Sequence, residues 1–265
     1  MNLFDAPVSD YMCRDLETAS PDTPLQLIAR AMHGRGISAI PVVDNEGTIT
    51  GVVSRTDLIH LGVRHSGRRW TSPVMPFPRQ VAADVMTGPP RVIEATMSLR
   101  HAGRMMVEHR IHRLFVVDDN DHAIGVISTV DLAAAVRDSR IETPICEVMT
   151  RQVIKLDVRA TLATAIEMLE RVPITGVIVT EEDLPIGMFT QLDAIASRDL
   201  PRGTPIDEVY EAAVICLPDQ TKLHRAATFA AKTDVRRIVV CRNRDPVGVI
   251  SGLDFARVVA GPDLR

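Results

Sequence analysis

The segment GVVSRTDL at residues 51–58 decides the fold, because close copies of it recur three times further along the chain. Upstream of each copy lies an apolar run with the composition of a β-strand, first seen as ISAIPVVD at residues 37–44. Another shared segment lies earlier still, first seen as VSDYM at residues 8–12. From its last residue to the aspartate of the motif, the spacing is 45 residues in the first two copies and 44 in the last two. Self-similarity of this kind predicts a repeat architecture with four units. The later copies of the motif are GVISTVDL (125–132), GMFTQLDA (187–194) and GVISGLDF (248–255).

Each unit is predicted to fold as strand, helix, strand, strand and helix. The apolar run Leu25, Leu27, Ile28 and Met32 follows helical spacing, and in the second unit the first helix is predicted to end near Arg110. Short turn-rich loops, such as residues 45–47, join the two central strands. The last helix of each unit is expected to begin directly after the motif strand. The predicted fold class is therefore α+β, with an α/β-like alternation of elements.

Composition and charge exclude several classes of protein. The chain has 265 residues, of which 46% are hydrophobic and 24% are charged, values typical of globular proteins and not of disordered ones. A net charge of −4 provides no general attraction to polyanions or acidic membranes, and six Phe, two Tyr and one Trp are few for a protein that stacks on bases. No apolar stretch approaches the ~20 residues of a membrane span, and the first residues lack the apolar core of a signal peptide. We therefore expect a cytoplasmic protein that binds neither nucleic acid nor membrane.

No metal site is predicted from the histidines and cysteines. His109 and His112 have a helical spacing of three residues, but the expected helix end falls between them. The four cysteines lie far apart and form no zinc-site or redox pattern, so we expect them to be reduced.

The motif shared by the four units is Ser or Thr, two residues of any type, and then Asp, at the junction between a strand and a helix. One interpretation is a capping box, in which the hydroxyl satisfies a free N–H of the helix and the acid bonds back to the cap. The other interpretation is a ligand site, because a helix N-terminus is suited to phosphate. A short Asp in all four units is also suited to accepting hydrogen bonds from the vicinal hydroxyls of a ribose. The four pairs are Ser54/Asp57, Ser128/Asp131, Thr190/Asp193 and Ser251/Asp254.

The repeats resemble cystathionine-β-synthase-type (CBS) domains, four in tandem, as in the γ subunit of AMP-activated protein kinase and in stand-alone prokaryotic CBS proteins. A basic linker at residues 63–80, which contains Trp70, separates the first two repeats. The resemblance implies two Bateman modules, each made of two repeats, that bind adenosyl ligands and regulate another protein. It implies AMP, ADP or ATP as a regulatory ligand, no catalytic cofactor and no catalysis by the chain itself. The expected repeats are residues 8–62, 81–138, 144–200 and 204–261.

Carried over residue by residue, the resemblance predicts nucleotide contacts in all four repeats. The motif aspartates would bind ribose hydroxyls, and the motif hydroxyls, joined by Thr56, would approach phosphate. His112 and Arg113 match the His-Arg pair that contacts phosphate in the kinase γ subunit, and Arg236 and Arg237 occupy the same positions in the fourth repeat. Aliphatic side chains and backbone groups would hold the adenine. The site that we expect first is formed by Asp131, Ser128, His112, Ile37 and Ser38.

Other functions remain open at this point. The CBS folds could serve as an interaction scaffold without a ligand, or they could bind NADH or S-adenosylmethionine. An enzyme regulated by its own CBS domains, such as IMP dehydrogenase, is disfavoured because the repeats leave only termini and linkers. A DNA-binding regulator is disfavoured by the acidic net charge and by the lack of a helix-turn-helix segment. The regulated protein is not identified by the sequence, and a homodimer formed through the modules also remains open.

Overall fold

The computed structural model describes residues 3–35, 37–54, 57–58, 80–171, 176–190, 193–194, 197, 200–210, 214–233 and 237–262. Thr56, Arg236, Trp70 and the basic linker up to residue 79 lie outside these ranges. The chain divides into two compact units, which are described separately. Unit 1 consists of Met1–Ala6, Ser98–His112 and Ser128–Arg265, and unit 2 consists of Pro7–Met97 and Arg113–Ile127.

Unit 2 contains helix α1 (Leu25–Gly34) and two small sheets. Three of the four apolar positions that predicted α1 are buried, since Leu25, Ile28 and Met32 are at most 2% exposed, and they pack against Val42 and Val53. The fourth, Leu27, is 52% exposed, because it lies on the face of α1 that is turned away from this core. In the first sheet two strands pair antiparallel, and in the second sheet the middle strand β4 pairs parallel with β3. The strands are β1 (Ala39–Val43), β2 (Ile49–Ser54), β3 (Val92–Glu94), β4 (Arg113–Val117) and β5 (Ala123–Ser128).

Unit 1 contains two three-stranded sheets of identical pattern and, within its described residues, five α-helices of at least 9 residues. In each sheet the central strand pairs parallel with the first strand of the repeat, from which a helix separates it in sequence. The same central strand pairs antiparallel with the next strand along the chain. The strands are β6 (Lys155–Asp157), β7 (Gly176–Glu181), β8 (Leu184–Thr190), β9 (Ile215–Pro218), β10 (Arg237–Arg242) and β11 (Asp245–Ser251). The helices are α2 (Leu99–His109), α3 (Thr129–Asp138), α4 (Leu162–Arg171), α5 (Leu223–Thr233) and α6 (Gly252–Ala260).

The predicted order of elements is confirmed in the second and fourth repeats. Each runs strand, helix, strand, strand and helix, and α3 and α6 begin directly after their motif strands. Helix α2 ends at His109, as the sequence predicts, and Arg110 caps it in a left-handed conformation. The first repeat departs from this order, because no strand precedes α1 among its described residues and only an isolated bridge joins Ala19 to Val42. Most of the residues that follow β2 and β8 lie outside the described ranges.

In three of the four repeats the shared upstream segment ends in a methionine, and this methionine contacts the glycine of a neighbouring motif strand. A Cβ atom added to Gly125 would lie 3.0 Å from Sδ of Met12 and 2.8 Å from the carbonyl oxygen of Cys13. Cys13 also forms a β-bridge with Val126, which holds the segment against the strand. The methionine of one repeat therefore occupies space that only a glycine in the adjacent repeat leaves open. The pairs are Gly51/Met86, Gly125/Met12 and Gly248/Met149.

Within unit 1, the helices of the second repeat pack on those of the fourth repeat. Helix α2 contacts α6, and α3 contacts both α5 and α6. A Cβ atom at Gly103 would lie 2.8 Å from the carbonyl oxygen of Ala256 and 3.0 Å from the backbone nitrogen of Ala260. A Cβ atom added to Gly252 would likewise clash with the side chain of Thr129. Glycine at these two positions allows the helices to approach each other closely.

Candidate functional site

The motif forms the same hydrogen-bond pattern in all four repeats. One oxygen of the aspartate, Oδ2, accepts hydrogen bonds from both the backbone N–H and the hydroxyl of the Ser or Thr three residues earlier. The capping interpretation is therefore confirmed as a local structure, and Ser128 and Ser251 are the N-caps of α3 and α6. The N–H and hydroxyl distances are 2.8 and 2.6 Å for Asp57, 2.7 and 2.7 Å for Asp131, 2.7 and 2.6 Å for Asp193, and 2.7 and 2.8 Å for Asp254.

Asp131 combines this cap with a partly buried carboxylate. Burial raises the pKa of Asp131, and the hydrogen bonds from Ser128 oppose that change only in part. Ser128 Oγ also accepts a hydrogen bond from the backbone N–H of Val130, at 3.3 Å. The backbone N–H of Asp131 itself also lowers the pKa of this carboxyl. Both hydrogen bonds from Ser128 fall on Oδ2, and among the described residues no side chain donates to the second carboxylate oxygen, Oδ1. That oxygen can therefore accept hydrogen bonds from a ligand.

The structure brings only part of the first expected site together. In unit 1, the carbonyl oxygen of His112 accepts a hydrogen bond from the backbone N–H of Thr129, at 3.0 Å, so His112 lies beside the Ser128–Asp131 cap. Ile37 and Ser38 belong to unit 2. The combination of these five residues in one site stays a prediction.

Unit 2 contains a contact that the sequence did not predict, between Arg113 and Ser38. Nη2 of Arg113 donates a hydrogen bond of 2.5 Å to Oγ of Ser38. Ser38 immediately precedes Ala39, whose register partner across the β1–β2 ladder is Ser54, the cap residue of Asp57. A guanidinium group is thus held close to the first-repeat motif. The sequence does show that Ser38 and Arg113 lie at the start of equivalent strands in the first and second repeats, and this could have suggested the contact.

The third and fourth repeats differ at their aspartates. The described hydrogen bonds to the side chain of Asp193 fall on Oδ2, as for Asp131. In contrast, Oδ1 of Asp254 accepts hydrogen bonds from Thr150 Oγ1 at 3.2 Å and from Arg257 Nη1 at 2.8 Å. Thr150 and Arg257 were not predicted from the sequence, although Arg257 stands out because the second and third repeats have alanine at the same position. Arg237, at the start of β10, is the register partner of Ser251.

Three further properties concern the whole described part of the chain. It contains no group of three or more His, Cys, Asp or Glu side chains arranged to hold a metal ion. Among its helices, none has both the length and the apolar character needed to cross a bilayer. The four cysteines form no disulfide.

Comparison of the fold with solved structures identifies an archaeal neighbour. Protein MJ1225 of Methanocaldococcus jannaschii, for which homology to g-AMPK has been suggested, superposes with a TM-score of 0.74. The alignment covers 94% of this chain and 98% of that protein, and the sequences are 16% identical. At this identity the likeness shows a shared fold.

Two relatives are similar in sequence. The CBS domain-containing protein YhcV of Bacillus subtilis is 32% identical over 126 residues, which are 48% of this chain and 82% of that protein. A 33.4 kDa protein in the ribosomal RNA operon of Thermofilum pendens is 23% identical over 244 residues, which are 84% of this chain and 81% of that protein.

The family match covers more than half of the chain. Residues 8–64, 81–138 and 145–198 match the family described as CBS domain. The match ends before the fourth predicted repeat, although residues 215–260 show the same order of strands and helices as the second repeat. The exact repeat boundaries and the grouping into two Bateman modules stay predictions. The α+β fold and the tandem repeats are confirmed, and the chain belongs to the CBS domain family.

Proposed function

We propose that this chain is a cytoplasmic regulatory protein that binds AMP, ADP or ATP and has no catalytic activity of its own. Its family membership supports a regulatory ligand-binding role. The motif caps of the first three repeats supply the groups that a nucleoside needs, namely carboxylate acceptors beside hydroxyl groups at strand-to-helix junctions. The regulated partner is proposed to be a separate protein.

The observation that carries this proposal is the state of Asp131. Its Oδ2 atom is used by the cap, whereas Oδ1 accepts no hydrogen bond from a side chain among the described residues. A ribose offers two vicinal O–H donors, and hydrogen bonds to a charged acceptor are stronger than those between neutral groups. Ribose binding would also offset the burial that now disfavours the charged carboxylate, because hydrogen bonds to the charged form favour it.

The contact between Arg113 and Ser38 supports a phosphate-bearing ligand. A guanidinium group can donate two parallel hydrogen bonds to a phosphate, which makes arginine well suited to such ligands. Arg113 is held near Ser54 and Asp57 within unit 2, so we propose that the first-repeat motif binds a ribose and that Arg113 binds the attached phosphate. The motif of the third repeat, Thr190 and Asp193, is proposed as a further ribose acceptor.

The packing of α3 provides a route from ligand to regulation. Asp131 lies in the first turn of α3, and α3 contacts α5 and α6 of the fourth repeat within unit 1. A ligand shifts a conformational equilibrium only by its differential affinity for the two states. A nucleotide that binds the cap of α3 more tightly in one packing arrangement would therefore favour that arrangement.

The proposal is tested by calorimetry and thermal-shift measurements with AMP, ADP, ATP, NADH and S-adenosylmethionine. We expect an adenine nucleotide to bind, and a ligand at about 100 times its dissociation constant to stabilise the folded state by ~2.7 kcal/mol. Replacing Asp131→Ala should weaken binding by ~1.5–3 kcal/mol, or roughly 10- to 150-fold, because charge-assisted hydrogen bonds are lost. Asp138→Ala, at the other end of α3, is the matched control and should leave the affinity unchanged.

The proposed contact between Arg113 and phosphate is tested by comparing the binding of AMP and adenosine. Arg113→Ala should weaken AMP binding while leaving adenosine binding unchanged, because adenosine has no phosphate. Binding of NADH or S-adenosylmethionine alone would replace the proposed ligand with another adenosyl compound. If no compound in the panel binds, the proposed function is wrong and the ligand-free scaffold is the better description.

A further inference from the structure

The carboxylate of Asp254 is already fully used by the protein. Its residue is 2% exposed, and its two oxygens together accept four hydrogen bonds. Two of these come from the cap residue Ser251, one comes from Thr150, and one comes from the guanidinium group of Arg257. This saturation distinguishes Asp254 from Asp131, whose Oδ1 receives no such donor among the described residues.

The residues that close Asp254 are held in place by the fold. Thr150 pairs with Val249 through two backbone hydrogen bonds of 2.9 Å, which fixes its hydroxyl beside the motif of the fourth repeat. Arg257 lies one turn after Asp254 on α6, at helical spacing for an ion pair. The equivalent residues are Ala134 in the second repeat and Ala196 in the third. Of the second, third and fourth repeats, only the fourth therefore has a positively charged residue three positions after its motif aspartate.

A ribose could bind Asp254 only by displacing these donors. Breaking an ion pair in which one partner is buried is costly, because it leaves a charge without compensation. The vicinal hydroxyls of a ribose would replace hydrogen bonds that the protein already makes, so they would provide little net gain.

We propose that Arg257 determines which motifs accept a ligand, by occupying Asp254 and excluding ribose from the fourth repeat. This inference rests on the proposed function, in which the other motif aspartates bind the ribose. It replaces the expectation from sequence that Ser251 and Asp254 contact the nucleotide.

The test is the stoichiometry of AMP binding measured by calorimetry. In the wild-type background, Asp254→Asn should leave the number of bound AMP molecules unchanged, whereas a loss of one molecule would overturn the inference. Arg257→Ala, which introduces the residue found in the second and third repeats, should add one AMP molecule. Adding Asp254→Asn to Arg257→Ala should remove that additional molecule.

Two controls separate the possible failures. Circular dichroism shows whether each variant is folded, and Arg257→Met, which keeps the apolar stem without the donors, serves as a second opening variant. If wild-type protein binds no AMP but both opening variants do, the inference holds while the proposed function in the wild type fails. If the wild type binds AMP and neither folded opening variant gains a site, the inference fails alone. If none of the three binds AMP, both are wrong.

Discussion

The carboxyl group of Asp131 lies partly buried in the first turn of α3, and this burial raises its pKa above that of an ordinary aspartate. Asp118 is the opposite case, because hydrogen bonds from the backbone N–H groups of His122 and Asn120 lower its pKa. A pKa that differs between the folded and unfolded states makes stability depend on pH. The two residues therefore make contributions of opposite sign.

Replacing Asp131→Asn tests the first contribution. Between the pKa of an unfolded aspartate, about 3.9, and the raised pKa of Asp131, the folded protein holds a proton that the unfolded chain has lost. The wild type should therefore lose stability relative to Asp131→Asn as the pH rises through this interval. Urea unfolding at intervals from acidic to neutral pH measures the difference.

Asp118→Asn is the matched control for that experiment. Its depressed pKa stabilises the folded state above the pKa of the unfolded chain, and this contribution is lost as the pH falls through the folded value. The wild type should therefore gain stability relative to Asp118→Asn as the pH rises. Equal slopes for the two variants would contradict the assignment of both shifts.

Residue 125 must be a glycine because Met12 and Cys13 of the neighbouring repeat occupy the space that a Cβ atom would need. We expect Gly125→Ala to destabilise the protein by about 1–3 kcal/mol, because the new Cβ would meet the backbone oxygen of Cys13, which cannot move without shifting its strand. Gly203→Ala is the control, since no atom lies within 4 Å of the added Cβ. Chemical denaturation measures the free energy of unfolding of the two variants. Equal values would show that the segment of Cys13 moves to accept the added Cβ atom without cost.

At the scale of elements, the hairpins of the repeats are closed in two different ways. In the first and second repeats, Asp44 and Asp118 each accept hydrogen bonds from two backbone N–H groups of the loop. In the third repeat, β7 and β8 are joined by Glu182 and Asp183, which both adopt left-handed backbone conformations with φ of 48° and 66°. Such conformations favour glycine and asparagine in two-residue hairpins.

Glu182→Asn should therefore stabilise the third repeat by up to about 1 kcal/mol, because asparagine adopts the left-handed conformation at lower cost than glutamate. Glu46→Asn in the first hairpin removes the same charge at a residue without a positive φ, and should give no comparable gain. Thermal unfolding compares the two variants. A gain of equal size for Glu46→Asn would assign the effect to charge.

At the scale of the whole molecule, the packing of α2 and α3 on α5 and α6 links the second repeat to the fourth within unit 1. This contact depends on close backbone approach at Gly103. It joins a proposed ligand-binding motif, at the start of α3, to a repeat whose own aspartate is closed by Arg257.

Gly103→Val tests whether these helices are energetically coupled. The larger side chain would clash with the backbone of α6, so we expect faster amide hydrogen exchange in residues 252–260 as well as in α2 itself. Gly34→Ala at the end of α1, where the added Cβ has no atom within 4 Å, should leave the exchange of α6 unchanged. Faster exchange confined to α2 would show that the two helices respond independently.

The amino-acid sequence predicted the repeats, the α+β class, the starts of α3 and α6, and the order of strands and helices found in the second and fourth repeats. These features follow from local periodicity and from cap residues within a few positions of each other, which sequence spacing records directly. It also placed the motif residues at strand-to-helix junctions, and the capping geometry there is as predicted.

Only the tertiary structure decided which groups surround those motifs. The contacts of Arg113 with Ser38 and of Thr150 with Asp254 join residues 75 and 104 positions apart, and no local pattern encodes such pairs. The closure of Asp254 by Arg257 is local in sequence, but its significance depends on the burial of Asp254, which is 2% exposed in the folded chain. The sequence specifies which motif residues lie at each strand-to-helix junction. Long-range packing determines which oxygens of the motif aspartates can accept hydrogen bonds from a ligand.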